Sequence, residues 1–304
     1  MSAVWLPRFA CPECGRDLLG AAQEGGAVCV PCGRVFALRG GVWRFLTEAR
    51  HARLEPFLRQ YRAVRAQEGL RSVAADYYRR LPSVSPDDPR AGDWQIRRET
   101  YHHLLGHVLA AGPLPLHVLD LGAGSGWLSH RLSALGHRAV AVDVLDDEVD
   151  GLGAARYYET GFPVVQADFD ALPFPPGQFD LVVFNGSLHY APDMAATLER
   201  AHRMLAPGGA LVVMDSPMFR ADRDGSLMVR DTLCRFVSVC GIGDAMAQGI
   251  GYLTFTTLAA IADRLQLRPQ FVPSRGSLGW RLRRSLARVR LRRAPAAFGL
   301  WVAR

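Results

Sequence analysis

The sequence predicts an α/β fold in which a parallel, doubly wound sheet follows a small cysteine-rich unit. From residue 116 onward, short apolar runs typical of buried strands alternate with segments of helical periodicity. Ahead of this alternation, four of the six cysteines lie in two Cys-x-x-Cys pairs. Strands that alternate with helices form a parallel sheet with helices packed on both faces. The paired cysteines indicate a separate N-terminal unit whose small core needs reinforcement.

The composition is that of a globular protein whose charge is unevenly distributed. The 304 residues are 49% hydrophobic and 21% charged. All 36 basic residues are arginine, which excludes Schiff-base lysine chemistry and a P-loop of the usual kind. Residues 111–274 carry more acids than arginines, whereas residues 275–304 carry nine arginines and no acid. No apolar run approaches the roughly 20 residues that span a bilayer, and no signal peptide is evident, so we expect a cytoplasmic protein.

The paired cysteines predict a structural zinc site within residues 1–46. Each pair has a two-residue gap and is followed by a glycine, and the four residues are Cys11, Cys14, Cys29 and Cys32. A two-residue gap lets both thiolates of a pair face one metal ion. Disulfides are the weaker interpretation in a reducing cytoplasm. Four thiolates complete a tetrahedron around zinc and leave no open catalytic position.

A glycine loop and strand-end acids mark one edge of the predicted sheet. The strand Leu116–Leu121 leads directly into Gly122-Ala-Gly-Ser-Gly126, and a helix follows. Asp143 ends the second strand, and Asp168 follows the third. Ligands of doubly wound sheets bind beyond the carboxyl ends of the strands, so these residues predict a ligand site. The Gly-x-Gly-x-Gly spacing differs from the Gly-x-Gly-x-x-Gly of dinucleotide-binding enzymes.

Together with Pro207-Gly-Gly209 before the fifth strand, this pattern resembles the class I S-adenosylmethionine-dependent methyltransferases over about residues 95–304. The resemblance implies a Rossmann-like fold, with a mixed seven-stranded sheet whose last strand is antiparallel. It divides the chain into a zinc ribbon (1–46), a helical linker or lid (47–110) and an S-adenosylmethionine-binding domain (111–304). The implied cofactors are S-adenosyl-L-methionine and structural zinc.

The resemblance places the cofactor at the glycine loop and at polar residues around it. Gly122, Gly124 and Gly126 let the backbone approach the cofactor without an intervening Cβ. Asp143 is expected to accept both ribose hydroxyls, because a carboxylate offers two oxygens. The other expected cofactor residues are Ala123 in the loop, Asp120 towards the sulfonium, Asp168 at the adenine amino group, Phe169 with its N–H at a ring nitrogen, Asn185 in the pocket wall and Arg97 at the methionine carboxylate.

Two residues after the fourth strand are the candidates for catalysis. His189 is the best general base by its ordinary pKa, and Tyr190 is expected to line the pocket beside it. The alternative for His189 is a histidine at a helix terminus that lines the cofactor pocket without transferring a proton. The segment Asn185-Gly-Ser-Leu-His-Tyr190 lacks the Asn/Asp-Pro-Pro-Tyr/Phe signature of adenine amino methylation.

The predicted function is methyl transfer to oxygen or carbon of a small-molecule acceptor. The segment after the fourth strand is similar to that of ubiquinone-biosynthesis-type and natural-product methyltransferases. One alternative is an rRNA or tRNA methyltransferase that uses the zinc ribbon and the arginine-rich segment to bind RNA. A second alternative is a non-catalytic scaffold that binds the cofactor. The sequence predicts neither the acceptor nor the oligomeric state.

The arginine-rich segment 275–293 is predicted to contain an amphipathic helix at the rim of the active site. Leu278, Leu282, Leu286 and Val289 share one helical face. The expected arrangement packs this face on the domain and leaves the arginines in solvent. The alternatives are an anionic substrate, a nucleic acid or a membrane surface as a partner of the arginines.

Overall fold

The computed structural model describes residues 4–20, 26–67, 74–110, 114–240 and 249–304, with the side chains of 67, 237–240, 285, 287 and 289 left out. The strands are β1 (Ala27–Cys29), β2 (Arg34–Phe36), β3 (Leu38–Arg39), β4 (Val42–Arg44), β5 (His117–Leu121), β6 (Arg138–Asp143), β7 (Val164–Gln166), β8 (Phe179–Asn185), β9 (Leu205–Met214), β10 (Met218–Phe219), β11 (Leu253–Thr254), β12 (Pro269–Pro273) and β13 (Gly299–Ala303). The helices are α1 (Glu48–Gln67), α2 (Ala75–Arg80), α3 (Ala91–Leu104), α4 (Trp127–Ala134), α5 (Met194–Met204), α6 (Asp222–Cys240), α7 (Phe255–Arg264) and α8 (Leu278–Leu291).

The predicted seven-stranded sheet is present, in the order β12-β13-β9-β8-β5-β6-β7. Strands β5 to β9 pair in parallel, whereas β13 runs antiparallel to both β9 and β12. This strand order and the antiparallel last strand are the class I methyltransferase arrangement that the resemblance implied. The chain reverses direction of winding at β5, next to the glycine loop, where doubly wound sheets bind ligands.

The N-terminal unit adds two strands to this sheet, which differs from the prediction. Strand β4 (Val42–Arg44) pairs in parallel with β7, and β3 (Leu38–Arg39) pairs antiparallel with β4. The sheet therefore has nine strands. The sequence analysis assigned these residues to a separate ribbon over 1–46. Short strands carry too little pattern to show which sheet they join, because pairing depends on an edge contributed from elsewhere in the chain.

The central strands are buried on both faces, as expected for a parallel sheet covered by helices. Alternate residues of β5 and β6 enter two different hydrophobic clusters: Leu119 and Val140 pack on one face, Val118 and Ala139 on the other. The N-terminal unit packs into the first cluster through aromatic rings. Phe9 lies 5.0 Å from Trp43 and 5.9 Å from Phe174 between ring centroids, so this unit is continuous with the main core.

The helices between the N-terminal unit and β5 cover the carboxyl edge of the sheet. Leu54, Phe57 and Leu58 of α1 pack against Leu145 after β6. Trp94 and Tyr101 of α3 pack edge-on against Trp127, the first residue of α4. Helices α1 and α3 therefore lie next to the glycine loop and the helix that follows it. Within the described part of the chain, no helix has both the length and the apolarity required to cross a bilayer.

The helix in the arginine-rich segment is present, but its orientation is opposite to the expected one. Leu278, Leu282 and Leu286 are 78%, 63% and 64% exposed. The face that packs on the domain carries Trp280 and Arg284, and the Arg284 guanidinium lies 4.1 Å from the Trp280 ring centroid. Helical periodicity shows which residues share a face, but it does not show which face the rest of the fold covers.

Candidate functional site

The four paired cysteines come together as predicted. Their sulfur atoms all lie within 4.8 Å of one another, with Cys14 and Cys29 3.5 Å apart. All four are free thiols. The glycines after the second cysteine of each pair, Gly15 and Gly33, adopt φ of 73° and 64°, which forms the tight turn of each pair. Zinc bound at ~2.3 Å from each of four sulfurs requires such close spacing of the thiolates.

The three loop glycines have different surroundings, although all have positive φ. A Cβ on Gly122 would lie 2.2 Å from the Ser187 Cβ, and one on Gly126 would lie 3.0 Å from the Phe162 ring. These two glycines are therefore required by packing within the protein. A Cβ on Gly124 would meet nothing closer than 3.9 Å. Gly122 and Gly124 both line cavities described below, but only at Gly124 would an added Cβ meet open space.

Asp143 holds the glycine loop as well as facing the site. Its Oδ2 accepts a hydrogen bond from the Gly124 N–H at 2.8 Å, and its Oδ1 accepts one from the Leu145 N–H at 2.8 Å. Burial raises the pKa of this carboxyl, and the backbone donors oppose that rise. Each carboxylate oxygen has a second lone pair, so both oxygens can still accept a ligand hydroxyl.

Asp168 is paired with two arginines of the lid, which the sequence analysis missed. Its Oδ2 accepts hydrogen bonds from Arg53 at 2.7 Å and from Arg50 at 3.2 Å. The pairing joins α1 to the end of β7 and closes the lid over the strand ends. Phe169 packs edge-on against Phe184, with 5.6 Å between ring centroids. The two arginines follow one another at i and i+3 on α1, which was a detectable signal for a shared acidic partner.

Asp120 lies below the loop and lines none of the cavities described below. The Ser129 hydroxyl of α4 donates to its Oδ2 at 2.9 Å, and Asp120 is fully buried. Burial raises its pKa to about 7. This contact indicates that Asp120 orients the loop, because it ties β5 to the helix that follows Gly126. It does not support the expected contact with the sulfonium.

Three neighbouring cavities run along the carboxyl edge of the sheet. The strand-end cavity, about 90 Å³, is lined by Asp143, Asp168, Phe169 and the α1 side chains of Leu54 and Phe57. The loop cavity, about 110 Å³, is lined by Ala123, Gly124, Asn185, Trp94 and Arg97. The α6 cavity, about 340 Å³, is lined by His189, Tyr190, Asp215 and apolar residues of α6. The three cavities share the lining residues Tyr61 and Gly186, so they are adjacent to one another along this edge.

Arg97 lies where the loop and α6 cavities meet. It lines both of them, and its guanidinium lies 4.7 Å from the ring centroid of Trp94. The stacked ring orients the guanidinium and keeps its N–H groups available to a ligand. Asn185, at the end of β8, lines the loop cavity only. Arg97 thus remains the candidate for the methionine carboxylate and Asn185 a candidate for the pocket wall.

His189 does not keep the near-neutral pKa on which its expected role depended. Burial, assisted by the Arg97 charge, lowers its pKa to about 4. Its Nδ1 lies 3.2 Å from the Ser216 hydroxyl, and its ring packs on Tyr190 at 4.2 Å between centroids. The histidine is neutral at pH 7 and is a weak base there. Tyr190 also packs against Phe57 and Tyr61 of the lid, so it connects α1 with the α6 cavity.

Asp215 is the residue that the sequence analysis missed. It directly follows β9, is 7% exposed and has φ of 56°, a left-handed conformation that is unfavourable for a residue with a Cβ. Among the described residues, neither of its carboxylate oxygens accepts a hydrogen bond. Burial raises its pKa to about 6, although Arg97 and the Thr100 hydroxyl act in the opposite direction. An acid at a strand end, as at Asp143, was the signal that could have identified it.

Known proteins match the central part of this chain. A family described as "Methyltransferase domain" matches residues 119–213, from β5 to β9. Arginine-hydroxylase NDUFAF5, mitochondrial, of Rattus norvegicus is 33% identical over 164 residues, which are 49% of this chain and 45% of that protein. Ubiquinone/menaquinone biosynthesis C-methyltransferase UbiE of Shewanella frigidimarina is 35% identical over 114 residues, 36% of this chain and 45% of that protein.

A third relative is the malonyl-[acyl-carrier protein] O-methyltransferase of Erwinia billingiae, 32% identical over 98 residues, 31% of this chain and 37% of that protein. The chain thus spans less than half the length of each of these relatives. A solved structure of magnesium protoporphyrin IX methyltransferase from Synechocystis PCC 6803 matches with a TM-score of 0.49 at 17% identity, over 79% of this chain and 98% of that one. Residues 119–213 match a methyltransferase domain, and the observed strand order is that of the class I S-adenosylmethionine-dependent methyltransferase fold.

Proposed function

We propose that the chain transfers a methyl group from S-adenosylmethionine to an oxygen or carbon atom of a small molecule bound in the α6 cavity. The observation that carries this proposal is the adjacency of the three cavities, whose shared lining residues join Asp143 through Gly124 to Asp215. One end suits a nucleoside and the other an acceptor. The α6 cavity, at about 340 Å³, is within the size range of small-molecule sites.

The residues around the strand-end and loop cavities fit the cofactor. Asp143 accepts the ribose hydroxyls while its backbone partners hold the loop in place. The Phe169 N–H and the Asp168 carboxylate are assigned to the adenine. Arg97 binds the methionine carboxylate, which directs the methyl group towards the α6 cavity. The apolar side chains of α1 exclude water from the adenosine, because Leu54 and Phe57 close the strand-end cavity.

We assign removal of the acceptor's proton to Asp215 rather than to His189. S-adenosylmethionine supplies a methyl group bonded to a positively charged sulfur. The acceptor atom forms a bond to that methyl carbon while the sulfur–methyl bond breaks and its electron pair stays on sulfur. The proton of the acceptor passes to the Asp215 carboxylate. With a pKa of about 6, which burial raises against the opposing effects of Arg97 and Thr100, Asp215 is ionised at pH 7 and can accept this proton.

The four cysteines are proposed to hold one structural zinc ion. Cys11 and Cys29 belong to the same hydrophobic cluster as Trp43 of β4 and Val165 of β7. The metal therefore stabilises the edge of the sheet next to Asp168. The polar and catalytic candidates described above lie at the carboxyl edge of the sheet and include none of the cysteines, so this zinc takes no part in methyl transfer.

Label transfer tests the proposed function directly. The chain is incubated with S-adenosylmethionine labelled in the methyl group, together with a small-molecule extract or with total RNA from the same cells. Label in a small-molecule product, absent with D143A, is the expected result. Label in RNA with none in small molecules supports the RNA alternative. An acceptor that gains oxygen without the labelled methyl contradicts methyl transfer, a necessary control because one relative is named a hydroxylase.

Metal analysis tests the zinc proposal separately. We expect about one zinc per chain, and loss of this zinc in the C14S/C32S variant. Because the ribbon contributes β3 and β4 to the sheet, the variant should unfold at a lower temperature. C234S is the matched control, since Cys234 is free and exposed outside the cluster. Zinc-free wild-type protein of unchanged thermal stability would contradict a structural role for the metal.

A further inference from the structure

The exposed leucines of α8 form an unpartnered apolar stripe. Leu278, Leu282 and Leu286 are spaced by four residues, so they lie above one another on one side of the helix. All three are more than 60% exposed, as their values of 78%, 63% and 64% show. Three adjacent leucines on one stripe form a patch, and exposed apolar patches mark interaction sites.

The orientation of α8 is fixed by its opposite side. Trp280 and Arg284 face the domain, where the Arg284 guanidinium lies 4.1 Å from the Trp280 ring centroid and 5.6 Å from that of Phe298. The Ser277 side chain accepts a hydrogen bond from the Trp280 N–H and caps the helix. These contacts hold the leucine stripe away from the protein.

Exposed arginines border the stripe on both sides. At 100° per residue, Arg281 and Arg288 lie along one margin, and Arg283 and Arg290 along the other. All four are exposed, and none forms an ion pair with another described residue. Residues 275–304 contain no acid that could neutralise them. The surface thus combines an apolar centre with cationic margins.

We propose that α8 docks this chain on an anionic lipid bilayer. The leucines enter the boundary between head groups and acyl chains, while the long arginine side chains reach the lipid phosphates at either side. RNA would engage the arginines but would leave the leucines in water. A second copy of the chain would bring two arginine-rich, acid-free segments together, which charge repulsion opposes. The membrane surface is the partner that satisfies both the apolar and the cationic parts of the helix.

Docking in this way would place the methyl-transfer site near the membrane. A cavity of about 310 Å³ lies between α8 and α3, and its lining includes Trp280, Arg284, Arg97 and Asp215. The side of α8 that faces the protein thus borders the proposed acceptor site. The docking proposal itself rests only on the stripe and its arginines, and it holds whether or not the proposed function is correct.

Vesicle flotation of the full chain tests the proposal. Vesicles of phosphatidylcholine with phosphatidylglycerol are compared with vesicles of phosphatidylcholine alone. We expect at least about tenfold stronger binding to the anionic vesicles. The variant L278Q/L282Q/L286Q should lose roughly 100-fold or more of this binding, because its apolar anchor is gone. R283Q/R290Q should bind more weakly and with a smaller dependence on salt.

The control is L114Q/L135Q, which alters two exposed leucines outside α8 and should bind as the wild type does. Equal melting temperatures of the three variants establish that folding is unchanged. Vesicle binding that survives the triple leucine substitution would overturn the proposal. Failure of the wild type to bind anionic vesicles would also overturn it. RNA binding that is lost in R283Q/R290Q would then identify RNA as the partner, and self-association that is lost in the leucine variant would identify a second copy of the chain.

Discussion

The two ends of the candidate site each contain a carboxylate, and the two carboxylates differ in their hydrogen bonding. Asp143 ends β6 and is half-buried, whereas Asp215 directly follows β9 and is buried, and both lie at the carboxyl edge of one sheet. Both oxygens of Asp143 accept backbone N–H groups. Neither oxygen of Asp215 accepts a hydrogen bond from a described residue, and its backbone is held at a positive φ.

This difference in hydrogen bonding suits Asp143 to cofactor binding and Asp215 to proton removal. A carboxylate fixed by two backbone donors is a rigid acceptor for ligand hydroxyls, and at Asp143 these donors oppose the rise in pKa that burial causes. A buried carboxylate without donors pays a desolvation penalty that a bound acceptor with a proton to give can relieve. Unsatisfied, strained groups of this kind are typical of functional sites. We therefore expect substitution at Asp143 to act on cofactor affinity and substitution at Asp215 to act on rate.

The largest expected effect is that of D215N on methyl transfer. Removal of a general base costs roughly 10²- to 10⁴-fold in rate. Affinity for S-adenosylmethionine should stay within about twofold of the wild type, because Asp215 lines the α6 cavity and not the strand-end cavity. Single-turnover label transfer, with an acceptor identified as above, measures the rate.

The pH dependence distinguishes Asp215 from His189 in the same assay. The wild-type rate should rise with pH through about 6, where the Asp215 carboxyl ionises. A rise near pH 4 instead would assign the base role to His189, whose pKa is lowered to about 4. H189Q is the companion variant and should retain most of the rate. A wild-type rate in D215N would contradict the assignment of Asp215 as the general base.

The next largest effect is expected for D143A on cofactor affinity. Two charge-assisted hydrogen bonds to the ribose and the support of Gly124 are lost together, which should weaken binding by roughly 100-fold. Trp94 and Trp127 line the loop cavity, so quenching of their fluorescence provides a titration. D143N, which keeps the shape but not the charge, should be intermediate. Unchanged affinity in D143A would show that the cofactor lies elsewhere.

D215N should also stabilise the folded protein above neutral pH. Burial raises the folded-state pKa of Asp215 from 3.8 to about 6, so the folded state holds this proton more tightly than the unfolded state does. The wild type accordingly loses stability as pH rises from about 4 to about 6. D215N avoids this loss and should gain about 3 kcal/mol in free energy of unfolding at pH 8. Urea denaturation at pH 4 and pH 8 measures it; an equal effect at both pH values would contradict ionisation as the cause.

The smallest expected effect is that of the lid arginines. Arg53 is 58% exposed, and its ion pair with Asp168 contributes at most about 1 kcal/mol. R50Q/R53Q should weaken cofactor affinity by no more than about fivefold, and added salt should reduce the difference. R59Q, a variant of another arginine on the same helix, is the control. A loss as large as that of D143A would show that α1 binds the cofactor directly.

The parts of the molecule that local pattern determines were predictable from the sequence. The alternation of strands and helices, the acids at the ends of β6 and β7 and the spacing of Cys11 to Cys32 each follow from rules of chain geometry. The same rule for strand-end acids applies to Asp215. The sequence instead favoured His189 as the general base, because the ordinary pKa of histidine lies near neutral pH. Its burial, which lowers the pKa, is a property of the assembled fold.

The parts that depend on tertiary contacts were not predictable. The pairing of β4 with β7 joins residues far apart in the chain, and three-residue strands do not encode a partner. The periodicity of α8 was correct, yet the packing of Trp280 and Arg284 on Phe298 decided which face is covered. Gly122 and Gly124 likewise differ because Ser187 packs against Gly122 and not against Gly124. Ser187 follows β8, three strands later in the chain.

The decisive measurement is a crystal structure with bound S-adenosylhomocysteine. We expect the ribose hydroxyls within hydrogen-bonding distance of Asp143, the amino-acid carboxylate on Arg97 and the sulfur facing the α6 cavity towards Asp215. A product whose ribose avoids Asp143, or whose sulfur is separated from Asp215 by the wall of that cavity, would contradict it.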